Sequence, residues 1–147
     1  MAYERAVTPR VLLTGFPPFG GHSENVSDKV RCRLESLGIA EIELQTLLLT
    51  CDEAGSGNVA ALIRDGGRFD AIVHLGLAES RSAISLERCG QNESRFRMAD
   101  NSGRMAEGMV IEGGPARLAT TASMHVLDEE FEHEPDIAWS DSAGAFV

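Results

Sequence analysis

The chain has 147 residues, 43% of them apolar, which matches one ordinary globular domain with enough material for a core. A formal net charge of −10, with no clustered Lys and Arg, argues against a nucleic-acid partner and leaves a soluble, acidic protein. No run approaches the roughly 20 apolar residues that a membrane span needs, and the opening MAYERAVTPR is no signal peptide, so neither membrane nor secretion is expected.

RVLLT (Arg10 to Thr14) is a short β-prone run ending at Gly15 and predicts a buried strand. GFPPFGGHSEN is too rich in Pro and Gly for regular structure and predicts a long loop at that strand's C-terminal end. Ser27 then caps a helix whose apolar face is Val26, Val30, Leu34 and Leu37, stopped by Gly38. EIELQTLLL (Glu41 to Leu49) predicts a second strand, and Asn58 to Asp65 a short helix. The glycines at 55 and 57 argue against extending that helix backwards. AIVHLGL (Ala71 to Leu77), apolar throughout, predicts a central strand, and SAISLER (Ser82 to Arg88) another soon after it. Residues 90 to 114 read as an irregular excursion, Pro115 as the first residue of a helix running to about Phe131, and DIAWS as a last strand. Strands alternating with helices predict an α/β protein, with helices on both faces of the sheet and no linker dividing two domains.

Several constellations could carry chemistry. Gly15 to Gly20 has P-loop glycine spacing but lacks the following Lys and Ser/Thr, and its prolines remove backbone donors, which counts against a nucleotide loop. What it offers is Phe16 and Phe19 on a stiff loop where open α/β sheets bind ligands, unless both rings simply fill the core. Glu87, beside Arg88 in an alternating strand, is either paired with an arginine for structure or set to orient a catalytic base. The same alternatives apply to Arg81, Arg95 and Arg97. His125, Glu129 and His133 recur every four residues and could share a helical face, but without HExxH or an evident fourth ligand they read as part of a solvated acidic face. Cys89 lies two residues beyond Glu87, on the same strand face, where neither a His base nor a helix N-terminus would activate it. The three cysteines, Cys32, Cys51 and Cys89, are odd in number and far apart; they read as reduced thiols of a cytoplasmic protein, with Cys32 and Cys51 as packing residues.

LLTGFPPFGG, HLGLAESRSAISLER, ADNSG (Ala99 to Gly103), GGPA (Gly113 to Ala116) and SDSAGAFV (Ser140 to Val147) together resemble the pyrrolidone carboxyl peptidases, or pyroglutamyl peptidase I, in order and approximate spacing. The resemblance spans nearly the whole chain. It implies a single domain with a three-layer α/β/α sandwich around a mostly parallel sheet, commonly assembled as a homotetramer. It also implies removal of N-terminal pyroglutamate from peptides by a thiol nucleophile, a His base and an orienting acid, with no metal or other cofactor. On the matching positions, Glu87 is the orienting acid. Phe16, Phe19 and Phe146 are pocket aromatics, Asn25 lies near the lactam ring, and Arg81 and Arg97 support the site, whereas Arg95 does not align. The family's proline after that asparagine is Val26 here. A neutral, flat lactam suits aromatic walls, and a charged α-amine entering the same pocket would lose its hydration unpaired.

The resemblance also puts the nucleophilic Cys immediately after Val147 and the His further on, so that the chain reads as cut short and lacking about the last third of the domain. None of His22, His74, His125 or His133 stands at the family's His position. The 147 residues by themselves are therefore expected to be inactive. Two other readings stand beside this one: a non-catalytic remnant that keeps a binding pocket or an oligomerisation surface, and an unrelated doubly wound enzyme with a phosphate-bearing ligand.

Overall fold

The computed structural model describes residues 7–145, which fall into two compact units, one ending at Leu77 and the other beginning at Ala78. Phe146 lies outside the described residues. The chain is an α/β protein, with a parallel sheet and three helices of eight or more residues among the described residues.

The first unit alternates β1 (Arg10–Gly15), α1 (Val26–Leu37), β2 (Glu43–Leu48), α2 (Glu53–Arg64) and β3 (Ala71–His74). Its sheet runs β2-β1-β3, all parallel, with Leu12 opposite both Gln45 and Ile72. The strand placed at the centre is thus β1, not the more apolar run at 71–77. Leu12 and Thr14 of β1 are fully buried, whereas Ala71, Val73 and His74 of β3 stay exposed. Leu12, Leu49 and Val59 form the core, with Phe16, Leu47, Leu62, Phe69 and Ile72 packed against it. At the ends of β1 and β3, Thr14 Oγ1 and His74 Nδ1 are 2.8 Å apart, and partial desolvation pushes the imidazole below its ordinary pKa.

Both helices of this unit depart from their sequence patterns. In α1 the inward side carries Ser27, Arg31 and Leu34, while Val26, Val30 and Leu37 are exposed. On that inward side Arg31 pairs with Asp28 at 2.8 Å and Glu35 at 3.0 Å and donates to Thr46 of β2 at 2.9 Å. Cys32 is consequently exposed rather than a packing residue, whereas Cys51 is buried. Helix α2 begins at Glu53, before both glycines, because Asp52 caps it by accepting from Gly55 N at 2.8 Å. Gly55 is required at that point: a Cβ there would lie 1.9 Å from the Thr50 carbonyl oxygen.

The second unit contains β4 (Ile84–Glu87), β5 (Cys89–Gln91), β6 (Ser94–Arg95), β7 (Glu107–Gly108), β8 (Arg117–Ala119), α3 (Met124–Phe131) and β9 (Ile137–Ser140). Strand β4 pairs in parallel with β9, while β5–β8 and β6–β7 are antiparallel. Arg88 is the residue at which the chain changes partners. Its N–H donates to Ser140 O of β9 at 2.8 Å, and its carbonyl accepts from Thr120 N, just beyond β8, at 2.8 Å. The helix predicted from Pro115 therefore starts only at Met124. Arg117, Leu118 and Ala119 extend instead to pair with β5, followed by the β-branched Thr120 and Thr121, and this pairing overrides the preference of Pro for a first helical turn. The region expected to be irregular is tied down by Asn92, whose side chain both accepts from Ile111 N at 2.7 Å and donates to Ile111 O at 2.8 Å. Helix α3 packs through the indole N–H of Trp139, which donates to Asp128, while Arg88 lies 5.1 Å over the same ring.

The two glycines of α2 give a matched test of this account. Gly55→Ala must displace backbone and is expected to cost about 2–4 kcal/mol in urea unfolding. Gly57→Ala, where an added Cβ meets open space, should be neutral or stabilising by up to about 1 kcal/mol.

Candidate active site

Glu87 closes β4 and lies opposite Ser140 in the parallel register. Its Oε1 accepts from Arg81 Nη1, while its Oε2 is buried without a hydrogen-bond partner among the described residues. Arg81 uses its second Nη to donate to the Ser142 carbonyl at 2.7 Å. One guanidinium thus joins the acid to the turn after β9, with both side chains about a third exposed. The two readings of Glu87 prove compatible. One oxygen makes the structural arginine pair, and the other still has its acceptor capacity.

The turn beyond β9 is built from small polar groups. Ser142 N donates to Ser140 Oγ at 3.2 Å, and Gly144 N to Ser142 Oγ at 3.4 Å. Ala145 O accepts from Arg95 N at 2.7 Å, so the backbone of β6 supports the end of the turn. Arg95 also pairs through its side chain with Glu93 and is exposed. Cys89 donates its thiol to Asp141 O at 3.1 Å. The strand is not continuous from Glu87 to Cys89, because the chain bends at Arg88, and Cys89 serves as a hydrogen-bond donor to the backbone.

Arg97 is exposed, just ahead of a loop organised by Asp100. The Asp100 side chain is buried, and its Oδ1 accepts from Ser102 N at 2.9 Å, Ser102 Oγ at 2.7 Å and Arg104 N at 2.9 Å. Its Oδ2 lies 3.3 Å from Arg104 Nε, and Arg104 stacks at 5.4 Å over Phe96. Burial pushes this carboxyl up, but the hydrogen bonds from Ser102 and Arg104 outweigh it and hold the pKa below its ordinary value. An Asp followed two residues on by Ser and then Gly is a readable Asx-turn signal that the sequence pattern of strands and helices passed over.

In the first unit, the loop after β1 is fixed by Asn25 and Ser27, both buried. Asn25 Oδ1 caps α1 by accepting from Ser27 N at 3.0 Å and Ser27 Oγ at 2.8 Å, while its Nδ2 donates to Pro17 O at 3.1 Å. The cap is therefore Asn25 rather than Ser27, whose hydroxyl accepts from Phe16 N at 3.0 Å. The first turn of the helix comes so close that a Cβ on Gly15 would lie 2.9 Å from Ser27 O. Phe16 is half-buried against the core and Phe19 is likewise half-buried, so each ring keeps part of its surface outside the packing.

His125 Nε2 lies 3.4 Å from Glu129 Oε1, with both side chains exposed. Among the described residues no group of three His, Cys, Asp or Glu side chains could hold a metal ion, and no helix is long and apolar enough to cross a membrane.

A family model described as pyroglutamyl peptidase matches residues 9–147. The chain belongs to the pyroglutamyl peptidase family. It is 29% identical over 140 residues to the pyrrolidone-carboxylate peptidase of Pyrococcus furiosus, covering 94% of this chain and 67% of that protein. It is 33% identical over 139 residues to the Chromobacterium violaceum pyrrolidone-carboxylate peptidase, covering 93% of this chain and 66% of that one. The crystal structure of pyrrolidone carboxyl peptidase from Fervidobacterium islandicum AW-1 superposes with a TM-score of 0.84 at 30% identity, covering 94% of this chain and 67% of that chain. The chain thus spans about two thirds of the length of the relatives it matches.

The Asp100 loop carries a pH prediction. A carboxyl whose folded-state pKa is depressed stabilises above the unfolded value of about 4 and loses that contribution as pH falls through the folded value. Urea midpoints of the parent chain and Asp100→Asn should therefore differ most near neutrality and converge on acidification. A gap that stays constant with pH would refute the hydrogen-bonded, ionised state of Asp100.

Proposed function

We propose that residues 1–147 supply the orienting acid and pocket walls of a cysteine-type omega-peptidase that removes N-terminal pyroglutamate from peptides. In this reading the thiol nucleophile and the imidazole base come from positions beyond Val147. The observation that carries the reading is the split state of Glu87: Oε1 engaged by Arg81, Oε2 buried and without a hydrogen-bond partner among the described residues. A carboxylate so held can accept one more hydrogen bond without moving. Accepting from an imidazole N–H would fix the tautomer and stabilise the imidazolium formed as the base takes the thiol proton. The thiolate then attacks the pyroglutamyl carbonyl, the leaving amine takes the proton back, and water releases pyroglutamate from the acyl-enzyme.

Phe16, Phe19 and Phe146 form the aromatic walls for the lactam in this reading, and Arg81 and Arg97 support the site. Asn25 acts through the loop it clamps, since its side-chain oxygen and nitrogen both already serve that loop. The family model runs without interruption through both compact units, which supports reading them as parts of one pyroglutamyl-peptidase-like domain. Assembly as a homo-oligomer, tetrameric by resemblance, and a cytoplasmic location complete the proposal; the free thiols of Cys32, Cys51 and Cys89 suit a reducing compartment.

The test is hydrolysis of a pyroglutamyl-linked chromogenic substrate. A polypeptide of residues 1–147 alone should give none. The same residues joined at Val147 to the remaining third of the Fervidobacterium islandicum relative should give thiol-sensitive turnover, and Glu87→Gln in that protein should lower kcat by about 100-fold or more. Turnover by residues 1–147 alone, or full activity of the Glu87→Gln protein, would overturn the assignment.

A further inference from the structure

The main-chain ladder between β4 and β9 ends where Arg88 N–H donates to Ser140 O, because the chain then turns away to pair β5 with β8. Among the described residues beyond Ser140 the backbone has no strand partner in that ladder, yet side chains take the carbonyls of Asp141 and Ser142. Ser142 O is taken by Arg81 at 2.7 Å. Asp141 O accepts two side-chain donors at once, Gln91 Nε2 at 2.8 Å and Cys89 Sγ at 3.1 Å. A carbonyl oxygen has two lone pairs, so this acceptor is saturated. Gln91 Nε2 also lies 3.6 Å from Cys89 Sγ, which ties the two donors to each other. The Asp141 side chain adds a weaker hold, 3.6 Å from Arg88. Glu87 ends β4, and Cys89 and Gln91 are alternate residues of β5 beyond the bend at Arg88; Arg81, which holds the acid, and these two donors take the adjacent carbonyls of Ser142 and Asp141.

We propose that Cys89 and Gln91 are positioning residues: together they clamp the Asp141 carbonyl and so fix the turn 141–145 relative to Glu87. The inference rests on the peptidase reading only for its catalytic consequence, because the turn leads to the position where that reading places the nucleophile. Saturating one carbonyl with two donors sets the direction of the peptide unit that follows it. Each hydrogen bond alone is partly exposed and weak, but the pair together with Arg81 defines the orientation of consecutive peptide groups. The sulfur of Cys89 acts here as a protonated donor, so its role is directional and not nucleophilic.

The clamp is tested with Gln91→Met, which keeps length and removes the donor, and with Cys89→Ala and Cys89→Ser, singly and combined. In the 147-residue chain, amide hydrogen exchange at Ser142, Gly144 and Ala145 should rise about 10-fold or more in the Gln91→Met/Cys89→Ala double variant while β1 amides are unchanged. In the protein joined to the relative's remaining third, kcat should fall about 10-fold with KM within about twofold, and Cys89→Ser in place of Cys89→Ala should restore part of it. Exchange and kcat both within about twofold of the parent would overturn the clamp, as would a loss of kcat accompanied by faster exchange throughout both units. An inactive joined parent would count against the peptidase reading instead. The exchange pattern then decides alone, a rise confined to the turn upholding the clamp and no rise overturning it.

Discussion

The parallel pairing of Ile84–Glu87 with Ile137–Ser140 joins segments far apart in the chain, and the chemistry of the second unit depends on it. Parallel strands cannot be joined by a tight turn, so the intervening residues must leave the sheet and return. Here they do so through two antiparallel pairs and a helix, and Arg88 makes the exit possible by bonding one sheet with its N–H and another with its carbonyl. Once Glu87 and Ser140 lie side by side, Arg81 can hold the acid with one Nη and the following turn with the other. A charge-assisted bridge of this kind fixes a carboxylate more tightly than a neutral donor would. It also leaves Oε2 buried without a partner among the described residues, a state that costs desolvation and that an imidazole N–H would relieve.

The first unit solves a different problem, that of holding a proline- and glycine-rich loop at the end of a buried strand. A loop of this composition has few backbone donors of its own. Asn25 supplies a donor in their place, to Pro17 O, and Ser27 an acceptor for Phe16 N, while the same asparagine caps the helix that follows. Loop shape and helix start are thereby one structural decision. The half-buried rings of Phe16 and Phe19 then stand on a fixed scaffold, so the aromatic wall proposed for the lactam would need little further ordering to bind.

How much of this was legible varies with the kind of evidence each residue carries. Strands β1, β2, β3, β4 and β9 follow from local runs of apolar or alternating residues and were predicted within a few positions. Glu87, Phe16, Phe19 and Asn25 stood out because they fall in motifs that resemble one family, although periodicity alone could not separate a catalytic acid from a structural ion pair. The failures have a common cause. Arg31 stands on the inward side of α1, Thr50 demanded glycine inside α2, and β5 captured residues that Pro115 marked for a helix. Each depends on a specific contact, near in the chain for Thr50 and Gly55 and distant for β5 and β8, that an apolar or alternating pattern does not record.

By itself the sequence determined the α/β class, the loop after the first strand and the family, because these rest on composition, short periodicities and ordered motifs. Only the tertiary structure decided that β1 is central, that Glu87 shares an arginine with the Ser142 carbonyl, and that Cys89 is a donor to Asp141 O. These are properties of pairing between strands. Pairing depends on which backbone groups remain unsatisfied once the neighbouring ladder has formed, and that becomes defined only when the whole unit has folded.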